Sequence, residues 1–237
     1  MLDRAYVAGM RAVRRWGERA GWLAAIERRR NSRAWRYART LLAIHDVEDL
    51  ARLDVPWWSF AAIDRIEAFL ASHNGRARAF EYGPGASTFW LARRCAQVAF
   101  VEHDGAWWAR FNPLAARLAN ARGRLVPPRP LAGSERPVCG SGRKHWRGFE
   151  FEAYVDSIAQ AGGPFDLIVI DGRARSACLS RALPHLAPGG LMVFDNSNRA
   201  RYRQALAACG LAVARYRGLT PAVPYPTETA LLRRPDA

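Results

Sequence analysis

The chain runs to 237 residues, half of them hydrophobic, which is enough for one substantial core with an appendage. No apolar stretch approaches the ~20 residues of a membrane-spanning helix, and the charged start, its short apolar patches broken by arginines, lacks a secretion signal, so a cytoplasmic protein is expected. A net charge of +15 invites a nucleic-acid partner, yet Lys144 is the only lysine, and the excess reads as an arginine bias of the whole chain.

Residues 1–44 hold eleven arginines against three acids, Asp3, Glu18 and Glu27. Tyr6, Met10, Val13 and Trp16, then Trp22, Leu23 and Ile26, recur at helical spacing and predict one or two helices, loosened at Gly17 and Gly21. Three uses of this basic lead stay open: a solvated face that caps the sheet, a peripheral contact with anionic membrane headgroups, or a nucleic-acid backbone. Residues 44–54 read as a polar connection. Pro56, Trp57, Trp58 and Ser59 then lead into an amphipathic helix on Phe60, Ile63, Ile66 and Leu70, which stops before His73, Asn74 and Gly75. The expected division is a helical lead over 1–75 and an α/β body over 76–237.

The body opens on its most informative stretch. A short apolar run from Ala79 to Tyr82 ends at Gly83, Pro84 and Gly85, where backbone without side chains can approach a ligand. Ser87 or Thr88 caps a helix with Phe89, Ala92 and Cys95 inward. A second strand at 98–101 delivers Glu102 about 20 residues after the turn, the spacing at which a dinucleotide-binding unit places an acid on a ribose hydroxyl pair. An adenosine-containing cofactor is expected. A nicotinamide dehydrogenase wants a third glycine where this chain has Thr88. The pattern Glu81-x-Gly83-x-Gly85-x-Ser87 resembles instead the first motif of class I S-adenosylmethionine-dependent methyltransferases. That resemblance implies that Glu81, Gly83 and Gly85 line the methionine end and that Glu102 takes the ribose; Ser87, Thr88 and His103 are expected among the cofactor contacts, with a base, or a supporting or surface place behind Glu102, left open for His103.

Asp104 caps a short helix bearing Trp107, Trp108 and Phe111, and Asn112 with Pro113 predicts a fresh helix start running to Asn120. A third strand at 124–126 precedes a Pro-, Gly- and Arg-rich loop over 127–150, longer than compact domains usually hold without purpose. A helix at 151–160 and the apolar strand 165–170 follow, the strand ending in Asp171 and Gly172. A helix over 176–186 turns through Ala187, Pro188, Gly189 and Gly190 into a strand at 191–194, which ends in Asp195 and Asn196. A helix at 202–208 and strands at 211–214 and 229–232 close the chain. Such alternation predicts a doubly wound parallel sheet with right-handed crossovers. Cys95, Cys139, Cys178 and Cys209 are scattered, without ligand spacing, and read as plain thiols.

These later pieces, above all Leu186-x-Pro188-Gly189-Gly190, extend the methyltransferase resemblance over about residues 56–234. It implies a mostly parallel seven-stranded sheet, its last strand antiparallel, binding S-adenosylmethionine. Ligands sit outside the carboxyl ends of strands in such sheets. The 83–88 turn, Glu102, Asp171, Asp195, Asn196 and three arginines, Arg173, Arg175 and Arg199, are expected there. Asp171, Asp195 and Asn196 are similar to the divalent-metal site of catechol-type O-methyltransferases, which implies Mg²⁺ on hard oxygen ligands; the lysine of that pattern is replaced by Ala174. The arginines suit an anionic acceptor, a small metabolite or a glycan, or else ion pairs with Asp171, Asp195 or Glu81. Asp171, Arg173 and Arg175 form the candidate catalytic set, for methyl transfer at oxygen. An aminopropyl transferase, a dehydrogenase and a non-enzymatic binding module for membrane or nucleic acid remain alternatives.

Overall fold

The computed structural model describes residues 4–28, 32–44 and 46–235; Asp3, Arg29 and Arg30 of the basic lead lie outside the described residues. In chain order the strands are β1 (Arg78–Tyr82), β2 (Gln97–Glu102), β3 (Ala121–Leu125), the short β4 (Arg129–Pro130) and β5 (Phe149–Glu150), then β6 (Phe165–Ile170), β7 (Leu186–Asp195), β8 (Ala212–Gly218) and β9 (Thr227–Arg233). Seven of them form one sheet in the order β3-β2-β1-β6-β7-β9-β8, while β4 and β5 pair only with each other. Neighbours from β3 through β7 run parallel, and β9 is antiparallel to both β7 and β8. The seven-stranded sheet with an antiparallel last strand is therefore as the resemblance implied.

The lead holds three helices where one or two were expected, α1 (Arg4–Arg19), α2 (Trp22–Arg28) and α3 (Arg33–Leu41). The Trp22 ring fills the space a side chain at Gly17 would need, 2.5 Å from where its Cβ would stand, which folds α2 back on α1. The expected polar connection is α4 (Val47–Arg52), capped by Asp46, whose carboxylate accepts from the Asp49 amide at 3.0 Å. Much of the lead's charge is consumed internally. Arg39 is buried with a two-pronged grip on Asp49 (2.7 and 2.9 Å) and a bond to Glu27 (2.8 Å), and Arg14 reaches Asp46 at 2.6 Å.

The remaining helices are α5 (Phe60–Ser72), α6 (Ala86–Ala92), α7 (Gly105–Ala115), α8 (Glu152–Val155), α9 (Arg175–Ala182) and α10 (Arg203–Ala208). The predicted fresh start at Asn112 and Pro113 is wrong. One helix, capped by Asp104 on the amides of Ala106 and Trp107, runs through Pro113 to Ala115. A proline so near the helix end forfeits a single backbone bond. The expected helices at 151–160, 176–186 and 202–208 each combine an α-helix with a 3₁₀ turn.

Alternation along β6 explains the two-sided core. Leu167 and Val169 face α5 and α6, meeting Ile63, Ile66, Trp90 and Leu91. Ile168 and Ile170 face α8 and α9, meeting Tyr154, Cys178 and Leu179. Both faces of β6 are packed with apolar side chains. Among the described residues no helix is long and apolar enough to cross a membrane.

Candidate functional site

A cavity of about 640 Å³ opens at the carboxyl ends of β1, β2, β6 and β7. Its floor exists because two glycine turns touch. Gly83, at φ +84°, leaves β1 so close to the turn after β6 that a Cβ there would stand 2.5 Å from the Gly172 Cα. Gly172 is equally confined on its far side, where a Cβ would meet the Tyr154 hydroxyl. Gly85 differs: its backbone is extended, and a Cβ would point into open space.

Glu81 lies beneath this turn, fully buried, and does not line the cavity. Ser87 and Thr88 donate their hydroxyl protons to its two carboxylate oxygens, Thr88 at 2.5 Å, and Thr88 Oγ1 accepts from the Gly85 amide at 3.1 Å. Burial drives the Glu81 carboxyl up to about 8, against those two hydrogen bonds, with repulsion from Asp171 and Glu102 added. Glu81 and Thr88 thus brace the turn from below, while Gly83, Gly85, Ser87, Glu102 and His103 border the cavity.

Glu102 ends β2, nearly buried, and its Oε1 accepts from the amides of His103 and Asp104, both at 2.7 Å. Among the described residues Oε2 has no partner, and it is left to the cavity. The His103 Nδ1 lies 2.6 Å from Glu102 Oε1 without hydrogen-bond alignment, and its ring packs on Trp146 at 4.9 Å between centroids.

Arg175 settles the far side. Its guanidinium donates to the carbonyls of Gly172 (3.1 Å), Asp171 (2.6 Å) and Asp195, and to Asp171 Oδ1 (2.5 Å), with Asp195 Oδ2 at 3.6 Å. The preceding residue, Ala174, sits at φ +48°, a left-handed turn costing about 1–2 kcal/mol that aims Arg175 back under both strand ends. Asp195 is further occupied: Thr229 donates to Oδ1 at 3.0 Å and the Asn196 amide to Oδ2. This corrects the metal expectation. Asp171 and Asp195 share the Arg175 guanidinium and Asp195 also accepts from the Asn196 side-chain N–H, a donor set that does not fit Mg²⁺, and among the described residues no group of three His, Cys, Asp or Glu is placed to hold an ion. Burial, then Asp171, lifts Asp195 to about 7 against the pull of Arg175, and burial likewise raises Asp171.

Arg173 and Arg199 line the same cavity, joined by two arginines that sequence reasoning missed, the exposed Arg110 and the half-buried Arg143. The 127–150 segment that carries it is pinned. Glu150 accepts from four backbone amides, Val138 (2.7 Å), Cys139 (2.9 Å), Phe151 (2.8 Å) and Glu152 (3.1 Å). Burial opposes its ionisation, but these amides hold the carboxyl below its usual range. The helical lead also contributes wall residues, Val47, Leu50 and Trp57. Gly140 and Gly142 flanking Ser141 were the available signal for Arg143; Glu150, whose partners are all backbone, gave none.

Residues 80–197 match the family model described as a methyltransferase domain. No curated protein sequence is significantly similar to this one. Among solved structures, the cofactor-bound Rv0187 from MTB is similar at a TM-score of 0.52 and 21% identity, over 81% of this chain and 88% of that one. A precorrin 8w decarboxylase from Methanobacterium thermoautotrophicum gives 0.51 at 16%, over 76% and 93%. An rRNA methylase from Streptococcus thermophilus gives 0.50 at 12%, over 73% and 95%. At these identities the likeness is one of fold.

Proposed function

Because the chain belongs to the class I S-adenosylmethionine-dependent methyltransferases, we propose that it methylates an oxygen of a small, anionic acceptor held at the strand ends. One observation carries the reading: the bare glycine turn and the unpartnered Oε2 of Glu102 open on one cavity. Gly83 and Gly85 let backbone approach the methionine part, and Glu102 accepts from the ribose hydroxyls. Ser87 and His103 border the same end.

S-adenosylmethionine supplies an electrophilic methyl group on a good leaving group, so the protein's work is alignment and the exclusion of water. Val47, Leu50 and Trp57 close the cavity from the lead, and residues 1–75 act as its cap. Asp171, held by Arg175 with its carboxyl raised, is the group that accepts the acceptor's hydroxyl proton. Arg173 and Arg199 draw the acceptor's negative charge.

Calorimetry with S-adenosylmethionine, decarboxylated S-adenosylmethionine and NAD tests the cofactor. Preference for the first sustains the reading; preference for the second indicates an aminopropyl transferase, and for NAD a dehydrogenase.

A second reading concerns the outer face of α1. Val13 and Trp16 are exposed there, Trp16 by 65%, with Arg15 and Arg19 alongside. An apolar face edged by arginines suits peripheral contact with anionic headgroups.

A further inference from the structure

Arg143, Arg173 and Arg199 are half-buried around one cavity, and among the described residues none is paired with a carboxylate. Arg14 and Arg94, half-buried as well, and the buried Arg39 each face an acid. The side chain of Arg173 makes one bond, from Nη1 to the Gly172 carbonyl at 3.2 Å, and the Nε atoms of Arg143 and Arg173 are buried without partners. Burial, then Arg143 and Arg175, lowers the Arg173 guanidinium, and burial followed by Arg175 does the same to Arg199. Like charges are being held together at a cost. Asp171 and Asp195 attract Arg173 and Arg199 only from a distance, because their direct ion pair is with Arg175.

A recess of about 190 Å³ branches from the main cavity. Its walls include Gly140, Ser141, Gly142, Arg143 and Arg173. Gly142 has no side chain to fill it: a Cβ there would press on Arg201 at 3.0 Å. The segment that brings Arg143 is not free to swing away, because Glu150 pins Val138 and Cys139 on one side and Trp146 packs on His103 on the other.

We propose that Arg143, Arg173 and Arg199 form a phosphoryl-binding site for the methyl acceptor, at the junction of the cavity and the recess. A carboxylate has two oxygens and one charge, which a single guanidinium fork satisfies. Three unpaired guanidinium groups call for more acceptor atoms and more charge, and a phosphate monoester brings three free oxygens and up to two charges. Arg175 takes no part, since its donors are committed to the strand ends. The acceptor is thus a phosphorylated compound whose hydroxyl lies near Asp171, and Arg143 on the pinned loop is the specificity-determining residue. This rests on the reading of the cavity as a methyl-transfer site.

The test uses the full chain saturated with S-adenosylhomocysteine, titrated calorimetrically with inorganic phosphate and, separately, malonate at constant ionic strength. Phosphate should bind, and more tightly than malonate. Arg143→Ala, Arg173→Ala and Arg199→Ala should each weaken phosphate by about tenfold or more, as loss of a charged hydrogen bond does, with S-adenosylhomocysteine affinity retained. Arg122→Ala, on β3 away from the cavity, controls for net charge and should change nothing. If Arg173→Ala fails to fold, Arg173→Lys keeps the charge, loses the fork and should still weaken phosphate. Tighter malonate binding overturns the phosphoryl assignment. Absent phosphate binding, or equal binding by all the variants, overturns the site while leaving methyl transfer standing. Failure to bind S-adenosylhomocysteine at all overturns the underlying reading instead.

Discussion

Gly83 and Gly172 press backbone on backbone: a Cβ on Gly83 would lie 2.5 Å from the Gly172 Cα and 2.7 Å from its amide nitrogen. Neither turn can retreat, since the Gly83 amide is bonded to the Val101 carbonyl and the Asp171 amide to that of Tyr82, each at 3.0 Å. Gly83→Ala should therefore cost stability, about 1–3 kcal/mol for the left-handed backbone and more for the clash, together with cofactor affinity. Gly85→Ala should separate the two effects. Its Cβ meets nothing in the protein, so thermal stability should hold while S-adenosylhomocysteine affinity falls. Equal affinities for Gly85→Ala and wild type would place the cofactor away from this turn.

Glu81 gives a signed pH dependence. Its usual value of 4.5 is raised to about 8 in the folded chain. The folded state keeps a proton that the unfolded state has lost, so the stability contribution is full below about 4.5 and is lost as pH rises through about 8. A displacement of one pH unit corresponds to about 1.4 kcal/mol. Glu81→Gln removes the titration, and its melting temperature should gain on wild type between about pH 5 and pH 8. Parallel curves would show that Glu81 is ionised under the turn.

Glu102→Ala removes the acceptor proposed for the ribose hydroxyls and frees the amides of His103 and Asp104. S-adenosylhomocysteine affinity should fall by about 1–3 kcal/mol, read by calorimetry, with the circular dichroism spectrum unchanged. Affinity equal to wild type would remove Glu102 from the cofactor site.

Removing Arg175 should reveal what it balances. Arg175→Ala leaves Asp171 and Asp195 facing each other at the mostly buried strand ends, a loss of about 3–5 kcal/mol in urea unfolding at neutral pH. Asp195 already sits at about 7, and without the guanidinium both carboxyls rise further. The deficit should then shrink as pH falls and the pair takes up protons. Dialysis of wild type against EDTA should alter neither stability nor S-adenosylhomocysteine affinity.

The outer face of α1 is tested by sedimentation with phosphatidylserine vesicles. Wild type should pellet, weakening with salt, and Trp16→Ser should stay in the supernatant. Equal pelleting of the two would leave only general attraction of a basic chain.

What could be read from the sequence was local. The Gly83 turn and Glu102 lie on one strand-helix-strand unit, so spacing alone located them, and the apolar runs ending at Asp171 and Asp195 marked their strands. The missed features depend on partners far apart in the chain. Arg175 and its ion pairs with Asp171 and Asp195 were within reach of the sequence, but the carbonyl oxygens it also serves past two strand ends have no residue type to betray them. Arg143 reaches the cavity only because Glu150 gathers four amides from both ends of a loop. Glu81 matched a motif yet faces Ser87 and Thr88, because β1 turns its side chain below the sheet end. Pro113 misled because start signals were weighed without the packing of Phe111 against Phe100, at 5.7 Å between centroids, which carries the helix past it.

The placement of β9 between β7 and β8 sets an order of assembly. On the ribosome β8 emerges first, but it touches the rest of the sheet only through β9, with Val213 opposite Leu232 and Val193 opposite Leu231. A nascent chain ending before residue 227 has a β7 with a bare edge and a β8 with no strand to pair with. Thr229, which fixes Asp195, arrives with that same strand. The acid at the crevice is thus locked in place only once β9 has been made, and until then the bare edge of β7 is open to pairing with a foreign strand.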